Sequence, residues 1–281
     1  MCDEIKPNHA RLSFSVPKPP SKQSTRDNPD ETLAWLNKRL RELLTAFKEN
    51  TAEDPFLDLG AYMVMYSTIH QYTVSTKDHG GELPGKRLYN GLADIIRSHC
   101  KDLRSGILQS HSGAVDKESA ILEMYVREWK RHCKLAKLIA HNYRYVERHW
   151  IMRELDERKS VVYKIQDLHS LIWREEVAIG SSQTGQTFET LNDDLESILD
   201  VAVRLREREG LRVGEELNQQ ASDLLREVFG SFEEIGVRIG TWHTTEQDRR
   251  LHPEIVSRNE TLRSGLQITS RVYTPRQDAY V

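Results

Sequence analysis

The sequence predicts an all-α protein, because the residues that interrupt helices are missing from its middle. All nine prolines lie at or before Pro84 or at or after Pro253, so residues 85–252 contain none. Within that span, residues 114–179 also lack glycine. Short strands joined by tight turns need such residues at their turns, whereas long helices exclude them. Apolar residues also recur at intervals of three and four along the chain, which is the helical period.

The N-terminal region divides into an arm and a first helix. Residues 1–27 contain four prolines among polar residues, and we expect a disordered arm there. Asn28 can cap the helix that follows, with Pro29 at the first helical position and Glu31 three residues after the cap. Residues 28–178 are predicted to form one helical unit and the start of a second.

The later helices follow from the same period and from the positions of glycine. The next predicted helices are one from Asp54 to Thr76, one from Arg87 to Leu103 with Gly106 as its termination signal, one long helix or two nearly collinear helices over 116–153, and one over 161–177. A loop over 179–190, a partial second helical unit over 191–240 and a weakly structured tail over 241–281 are predicted to follow. The position of the joint within 116–153 stays open.

Charge and composition exclude several classes of partner. Forty Lys and Arg stand against 43 Asp and Glu, so the net charge is −3, whereas nucleic-acid binders usually carry a net basic charge or a basic stripe. The sequence contains no run of ~18 apolar residues, so it predicts no membrane span. The polar start of the chain lacks the apolar core of a signal peptide. Three cysteines cannot pair completely, which favours a reducing compartment. We therefore expect a protein of the cytoplasm or nucleus, with neither nucleic-acid nor membrane partners.

No catalytic or metal-binding motif is visible. The pairs His99–Cys100 and His132–Cys133 are the best candidates for zinc, but adjacent residues on a helix point ~100° apart, so each pair offers at most one ligand. No serine lies in a nucleophile elbow, and no glycine-rich phosphate loop follows a strand. We expect a protein that is not an enzyme and that uses no metal and no cofactor.

One predicted helix is unusual because residues 60–76 contain no Asp, Glu, Lys or Arg. One of its faces would form a core stripe, and a second face carries aromatic residues and methionine. The members of this second face are Tyr62, Met63, Tyr66 and His70. Two interpretations remain open from the pattern alone: a helix buried on all sides, or an exposed patch that docks a partner protein.

Five motifs in order resemble the N-terminal repeat region of the cullin family, most closely the SCF-type cullin. The resemblance runs from about residue 30 to 178 and continues weakly to 236. The motifs are Tyr62-Met63-Val64-Met65-Tyr66, Leu88-Tyr89-x-x-Leu92, Leu122-x-x-Tyr125-x-x-x-Trp129, Tyr145-Val146-Glu147-Arg148-His149-Trp150 followed by Arg153-Glu154, and Ile172-Trp173-Arg174. The resemblance implies an elongated stalk of five-helix repeats.

The resemblance also implies a docking surface for a substrate adaptor, formed by the second and fifth helices of the first repeat. Carried over by position, the adaptor-binding residues are Tyr62, Met63, Tyr66, His70, Tyr145 and Arg148. Met63 is similar to the subtype that binds Skp-type adaptors, and through them F-box proteins. His70 departs from the tyrosine usual in the family, which weakens the contact or makes it sensitive to pH.

The resemblance implies a non-catalytic scaffold in ubiquitin-dependent protein degradation. Cullins continue into a half that binds a RING-box protein, and no counterpart of that half follows before Val281. The sequence is compatible with an adaptor-binding stub and with an incomplete fragment of a longer cullin. For the residues given, we expect adaptor binding without a RING-box partner and without recruitment of a ubiquitin-conjugating enzyme. The alternative is a helical interaction protein of cullin descent that no longer binds the adaptor.

Overall fold

The computed structural model describes residues 9–12, 14–50, 54–75, 82–109, 116–157, 161–180, 197–210 and 219–237. The elements are, in chain order, β1 His9–Arg11, α1 Lys22–Asp27, α2 Pro29–Glu49, β2 Asp54–Phe56, α3 Leu59–Ser75, α4 Pro84–Gln109, α5 Lys117–Asn142, α6 Arg144–Val146, a first π-helical stretch Glu147–Ile151, α7 Met152–Glu157, α8 Ile165–Trp173, a second π-helical stretch Arg174–Ile179, α9 Ile198–Gly210 and α10 Gln219–Glu234. The predicted all-α class is confirmed, with two three-residue strands that pair in parallel as its minor addition.

The N-terminal segment is the first difference from the prediction of a disordered arm over residues 1–27. Leu12 and Phe14 are buried in the core, and residues 22–27 form α1. Thr25 of α1 is fully buried, and its hydroxyl oxygen accepts a hydrogen bond of 2.8 Å from the Gln71 side chain of α3. Proline content alone misses this arrangement, because a few apolar anchors and a side-chain bond hold the segment on the bundle.

The start of α2 confirms the predicted cap. The Asn28 side chain accepts a hydrogen bond from the Glu31 backbone N–H, and Pro29 occupies the first turn. Glu31 does not complete a capping box, because its carboxylate accepts from the Ser24 hydroxyl at 3.3 Å. The two side chains thereby join α1 to α2 across their shared cap residue.

The boundaries of α3 and α4 differ from the predicted ones, and the structure places the joint that the sequence left open. Residues 54–56 form β2, so α3 begins at Leu59 and not at Asp54. Helix α4 passes Gly106 and ends at Gln109, because Leu103 and Ile107 are buried one turn apart. The joint within 116–153 falls at Tyr143, where the backbone leaves the helical conformation with ψ of 8°.

The two helical units share α5. This helix packs against α3, α4 and α6 of the first unit and against α8, α9 and α10 of the second. Tyr125 of α5 lies at the junction, where its hydroxyl forms a 3.0 Å hydrogen bond with Ser231 of α10 and accepts one of 3.4 Å from the Trp173 indole of α8. Leu122, Tyr125 and Trp129 recur along α5 at the helical period, and all three are buried.

The predicted loop over 179–190 lies outside the described residues from 181 onward, and the predicted tail over 241–281 lies wholly outside them. Within the predicted partial second unit, α9 and α10 are the described helices. Among the residues that the structure describes, no helix combines the length and the apolar character needed to cross a membrane.

Candidate docking surface

Helix α3 has a buried face and an exposed face. Ala61, Met65, Ile69 and Tyr72 point into the core and are buried, as their spacing predicts. On the opposite side, the Met63 side chain is 50% exposed. The interpretation of α3 as a helix buried on all sides is therefore wrong.

The absence of charge on α3 follows from its position. The helix packs against α1, α2, α4, α5 and α6, so most of its circumference faces other helices. Two threonine side chains bond within the helix itself, since the Thr68 hydroxyl donates to the Val64 carbonyl oxygen at 2.7 Å and the Thr73 hydroxyl donates to the Ile69 carbonyl oxygen at 2.8 Å. A charged side chain on these packed faces would have no such partner.

The segment from α6 to α7 supplies the second wall of the surface. Tyr145 of α6 meets His70 of α3 edge to face, with ring centroids 4.4 Å apart and planes at 81°. On its other side Tyr145 contacts His149, with centroids 4.3 Å apart. Along α3 the rings of Tyr62 and Tyr66 stack at 6.0 Å. Of the residues that the resemblance assigned to adaptor binding, the structure thus joins His70 to Tyr145 and Tyr62 to Tyr66, while Met63 and Arg148 are exposed on the same two elements.

Exposed apolar side chains concentrate on the same two elements. The described residues expose five large hydrophobic side chains, and four of them lie on α3 or α7. The four are Leu59, Met63, Val74 and Met152, and the fifth is Val161. We call Tyr62, Met63, Tyr66, His70, Val74, Tyr145, Arg148 and Met152 the docking surface. A cluster of exposed apolar residues of this kind is typical of a protein interface.

Sequence reasoning missed Val74 and Met152 as members of this surface. The signal for Val74 was present, because Met63, His70 and Val74 follow one another at helical spacing. Spacing gave no such signal for Met152, because a π-helical stretch separates it from Tyr145. Motif matching stops at the ends of the motifs, whereas the exposed stripe on each helix continues beyond them.

A buried contact supports the second wall from behind. Trp150 of the first π-helical stretch is buried against Gly85 and Tyr89 of α4. The Tyr89 hydroxyl accepts a 3.0 Å hydrogen bond from the Tyr163 backbone N–H, and burial raises the pKa of Tyr89 to about 12. This contact fixes the position of the π-helical stretch and of Arg148 on its outer side.

The edge of the docking surface is cationic. Arg144 and Arg148 are exposed, four residues apart. The acidic residue between them, Glu147, faces inward and accepts a 3.0 Å hydrogen bond from the Ile165 backbone N–H at the start of α8. Its carboxylate thus caps a helix, and the outer side of the segment keeps a net positive charge.

The histidines considered as zinc ligands are core residues. Burial lowers the pKa of His132 to about 3, and it lowers the pKa of His99 to about 4 with the help of the neighbouring Lys48. Over the described part of the chain, no group of three His, Cys, Asp or Glu side chains could hold a metal ion. Burial also raises the pKa of the Cys100 thiol.

The helices stacked around a shared α5 and the aromatic surface at one end define a helical-repeat interaction protein. The family model described as "Cullin alpha solenoid domain" matches residues 40–245. The chain belongs to the cullin family, as its motifs predicted.

The relatives are distant, and each is matched over a small part of its length. Cullin-1 of Dictyostelium discoideum is 26% identical over 163 residues, which cover 56% of this chain and 20% of that protein. Cell division control protein 53 of Saccharomyces cerevisiae is 25% identical over 126 residues, which cover 41% of this chain and 14% of that protein. Cullin-1 of Caenorhabditis elegans is 24% identical over 133 residues, which cover 40% of this chain and 16% of that protein.

Proposed function

We propose that this chain is a non-catalytic scaffold of a ubiquitin ligase complex whose docking surface binds a Skp-type adaptor. Through the adaptor it would hold F-box proteins and their substrates for ubiquitin-dependent degradation in the cytoplasm or nucleus. The proposal assigns adaptor binding to these 281 residues, and it assigns them no contact with a RING-box protein and no recruitment of a ubiquitin-conjugating enzyme.

The observation that carries the proposal is the exposed stripe of α3. Met63 is 50% exposed and Tyr66 lies beside it, on a helix without charge, and Tyr145 and Arg148 border it. Aromatic residues, methionine and arginine are the side chains that dominate binding energy at protein interfaces. The family of the chain supports the choice of a Skp-type adaptor, because the curated relatives include Cullin-1 of two organisms.

One observation favours a second candidate, a cullin-derived protein that no longer binds the adaptor. His70 stands at the centre of the docking surface, where the family resemblance leads us to expect tyrosine. The imidazole buries less apolar area than a tyrosine ring and must lose hydration on docking.

Calorimetric titration of the chain with a purified Skp-type adaptor tests the proposal. The wild-type chain should bind, and Met63→Lys should weaken binding about thirtyfold or more, because it places a charge in the centre of an apolar contact. Val161→Lys is the matched control, since Val161 is exposed but lies outside α3 and α7. This control should bind as the wild type does.

Two outcomes would contradict the proposal. A wild-type chain that shows no binding would favour the second candidate. Equal binding by the wild type and Met63→Lys would place the adaptor elsewhere on the molecule.

A further inference from the structure

We propose that the partner of the docking surface carries Asp or Glu side chains beside its apolar strip, where they pair with Arg144 and Arg148. This inference rests on the proposed function and specifies the chemistry of the partner. It adds Arg144 to the residues that recognise the adaptor.

The sequence of α5 and α6 is one-sided in charge near the docking surface. Residues 129–146 contain no Asp or Glu. The same span carries five cationic side chains, which are Lys130, Arg131, Lys134, Lys137 and Arg144. Helix α3, the other wall of the surface, contributes no charge from Gly60 to Ser75. Lys130 pairs with Glu227 of α10 and Arg131 with Glu128, so the cations here that have no such partner within the described residues are Lys137 and Arg144, followed by Arg148.

These remaining cations are exposed and close together in the chain. Lys137, His141, Arg144 and Arg148 follow one another at intervals of three or four residues, and all four are exposed. Lys137 and His141 lie one turn apart near the end of α5, whereas Arg144 and Arg148 follow the joint at Tyr143 on α6 and the first π-helical stretch. Arg144 and Arg148 flank Tyr145 of the docking surface in the chain.

In the described part of the chain, Arg144 and Arg148 lack a carboxylate partner, as the exposed Arg26 and Arg41 do, but only these two border the docking surface. Within the described residues, neither side chain makes a hydrogen bond or an ion pair. By contrast, Arg208 contacts Asp116 and Glu118 at 2.8 and 3.0 Å, and Arg97 contacts Glu176 at 3.1 Å. Where this protein uses arginine for its own structure, it supplies the carboxylate.

Uncompensated charge at the edge of an interface acts mainly on association. Carboxylates opposite the two arginines accelerate encounter and set the orientation of the partner, whereas the apolar strip governs how long the complex lasts. Electrostatic attraction across an exposed edge is screened by salt, since the Debye length falls from about 30 Å at 0.01 M to about 3 Å at 1 M. The association rate must therefore depend on ionic strength.

Surface plasmon resonance with immobilised Skp-type adaptor, bound to an F-box protein, tests this inference on the full chain. The double variant Arg144→Glu/Arg148→Glu should lower the association rate constant about tenfold or more and change the dissociation rate constant little. Raising NaCl from about 0.05 to about 0.5 M should slow association of the wild type and should not slow association of the double variant. The control Arg41→Glu/Lys117→Glu reverses two exposed cations on α2 and at the start of α5, and it should retain the wild-type rate and salt dependence.

Met63→Lys, measured beside these variants, distinguishes failure of this inference from failure of the proposed function. Suppose that Met63→Lys abolishes binding while the double variant matches the wild type in association rate constant and in salt dependence. That result overturns the inference and leaves the proposed function standing. Failure of the wild-type chain to bind the adaptor at any salt concentration overturns both. An equal loss in the control double variant would show a general field effect and would also overturn the inference.

Discussion

The imidazole of His70 meets the phenol ring of Tyr145 edge to face, with a centroid separation of 4.4 Å. This contact joins α3 to α6 at the docking surface itself. Two side chains that a partner would touch thus also hold the two walls of its site together. Substitution of either ring should affect the stability of the free protein as well as binding.

A double-mutant cycle on His70→Ala and Tyr145→Ala should reveal that coupling. We expect an interaction energy of about 0.5–1.5 kcal/mol in the free energy of unfolding, the usual contribution of a well-oriented ring pair. Urea denaturation of the wild type, both single variants and the double variant measures it. If the stability losses of the two single variants sum to the loss of the double variant within ~0.3 kcal/mol, the ring contact contributes nothing to stability.

Two glycines of α4 should respond in opposite directions to the same substitution. A Cβ added at Gly85 would lie 2.7 Å from the Trp150 Cβ and closer still to its Cγ, whereas a Cβ added at Gly106 would meet no atom within 4 Å. Gly85→Ala should cost about 1–3 kcal/mol through overpacking, and Gly106→Ala should add about 0.5–1 kcal/mol by restricting the unfolded chain. Thermal denaturation of the pair checks this, and equal shifts of the melting temperature would refute the close contact at Trp150.

Buried histidines should make the fold sensitive to acid. The pKa of His132 falls to about 3 in the folded protein, and the pKa of His169 falls well below its usual value, in both cases chiefly through burial. The unfolded chain, with histidine pKa values near ~6.5, binds more protons, so stability is full above pH ~6.5 and declines as the pH falls. Each such histidine should remove about 1.4 kcal/mol per pH unit, down to its folded pKa.

His169→Leu isolates this effect. His169 is fully buried, and neither ring nitrogen has a hydrogen-bond partner. Leucine should therefore raise the free energy of unfolding by about 1 kcal/mol at pH 7, and by more at pH ~5. Denaturation at both pH values measures the difference, and a variant that gains nothing on acidification would show that His169 already carries its charge when folded.

A polypeptide of these 281 residues should inhibit a reconstituted SCF-type ligase. A scaffold accelerates ubiquitin transfer by holding the substrate near the charged conjugating enzyme, so a competitor that occupies the adaptor alone breaks this proximity. Titration of the polypeptide into an assay with a full-length cullin and an F-box substrate should slow ubiquitination. Met63→Lys should not inhibit at the same concentration, and stimulation by the wild-type polypeptide would contradict the model of competition.

The sequence sufficed for the fold class because helix breakers are absent where the core lies. It also sufficed for the cap at Asn28 and for the buried stripe of α5. It failed at the N-terminal segment, since Leu12 and Phe14 are too few to form a recognisable period, and their burial depends on a surface supplied by other helices. The predicted helix end at Gly106 was wrong for a similar reason. Tertiary packing of Leu103 and Ile107 overrides the local helix-ending signal of the glycine.

For the docking surface, the chain order of motifs identified most of the residues but could not show their contacts. Whether α3 was buried on all sides depended on which neighbours surround it, and the pattern of uncharged residues was compatible with both answers. The contact of His70 with Tyr145 joins residues far apart in the chain, so no spacing within one helix predicts it. The same limit applies to the inward orientation of Glu147, which leaves Arg144 and Arg148 uncompensated.

The π-helical stretch Glu147–Ile151 gives this segment some tolerance in its length. A π-helical turn accommodates one residue more than the α-helical turn it replaces. Loss of a single residue here would therefore convert the stretch to α-helix and leave the helix beyond it in phase, whereas loss of two residues would rotate everything beyond it by ~100°. In descendants of this protein, a one-codon deletion within Glu147–Ile151 should therefore be tolerated, whereas the same deletion within the regular α-helix α3 would divide its buried and exposed faces.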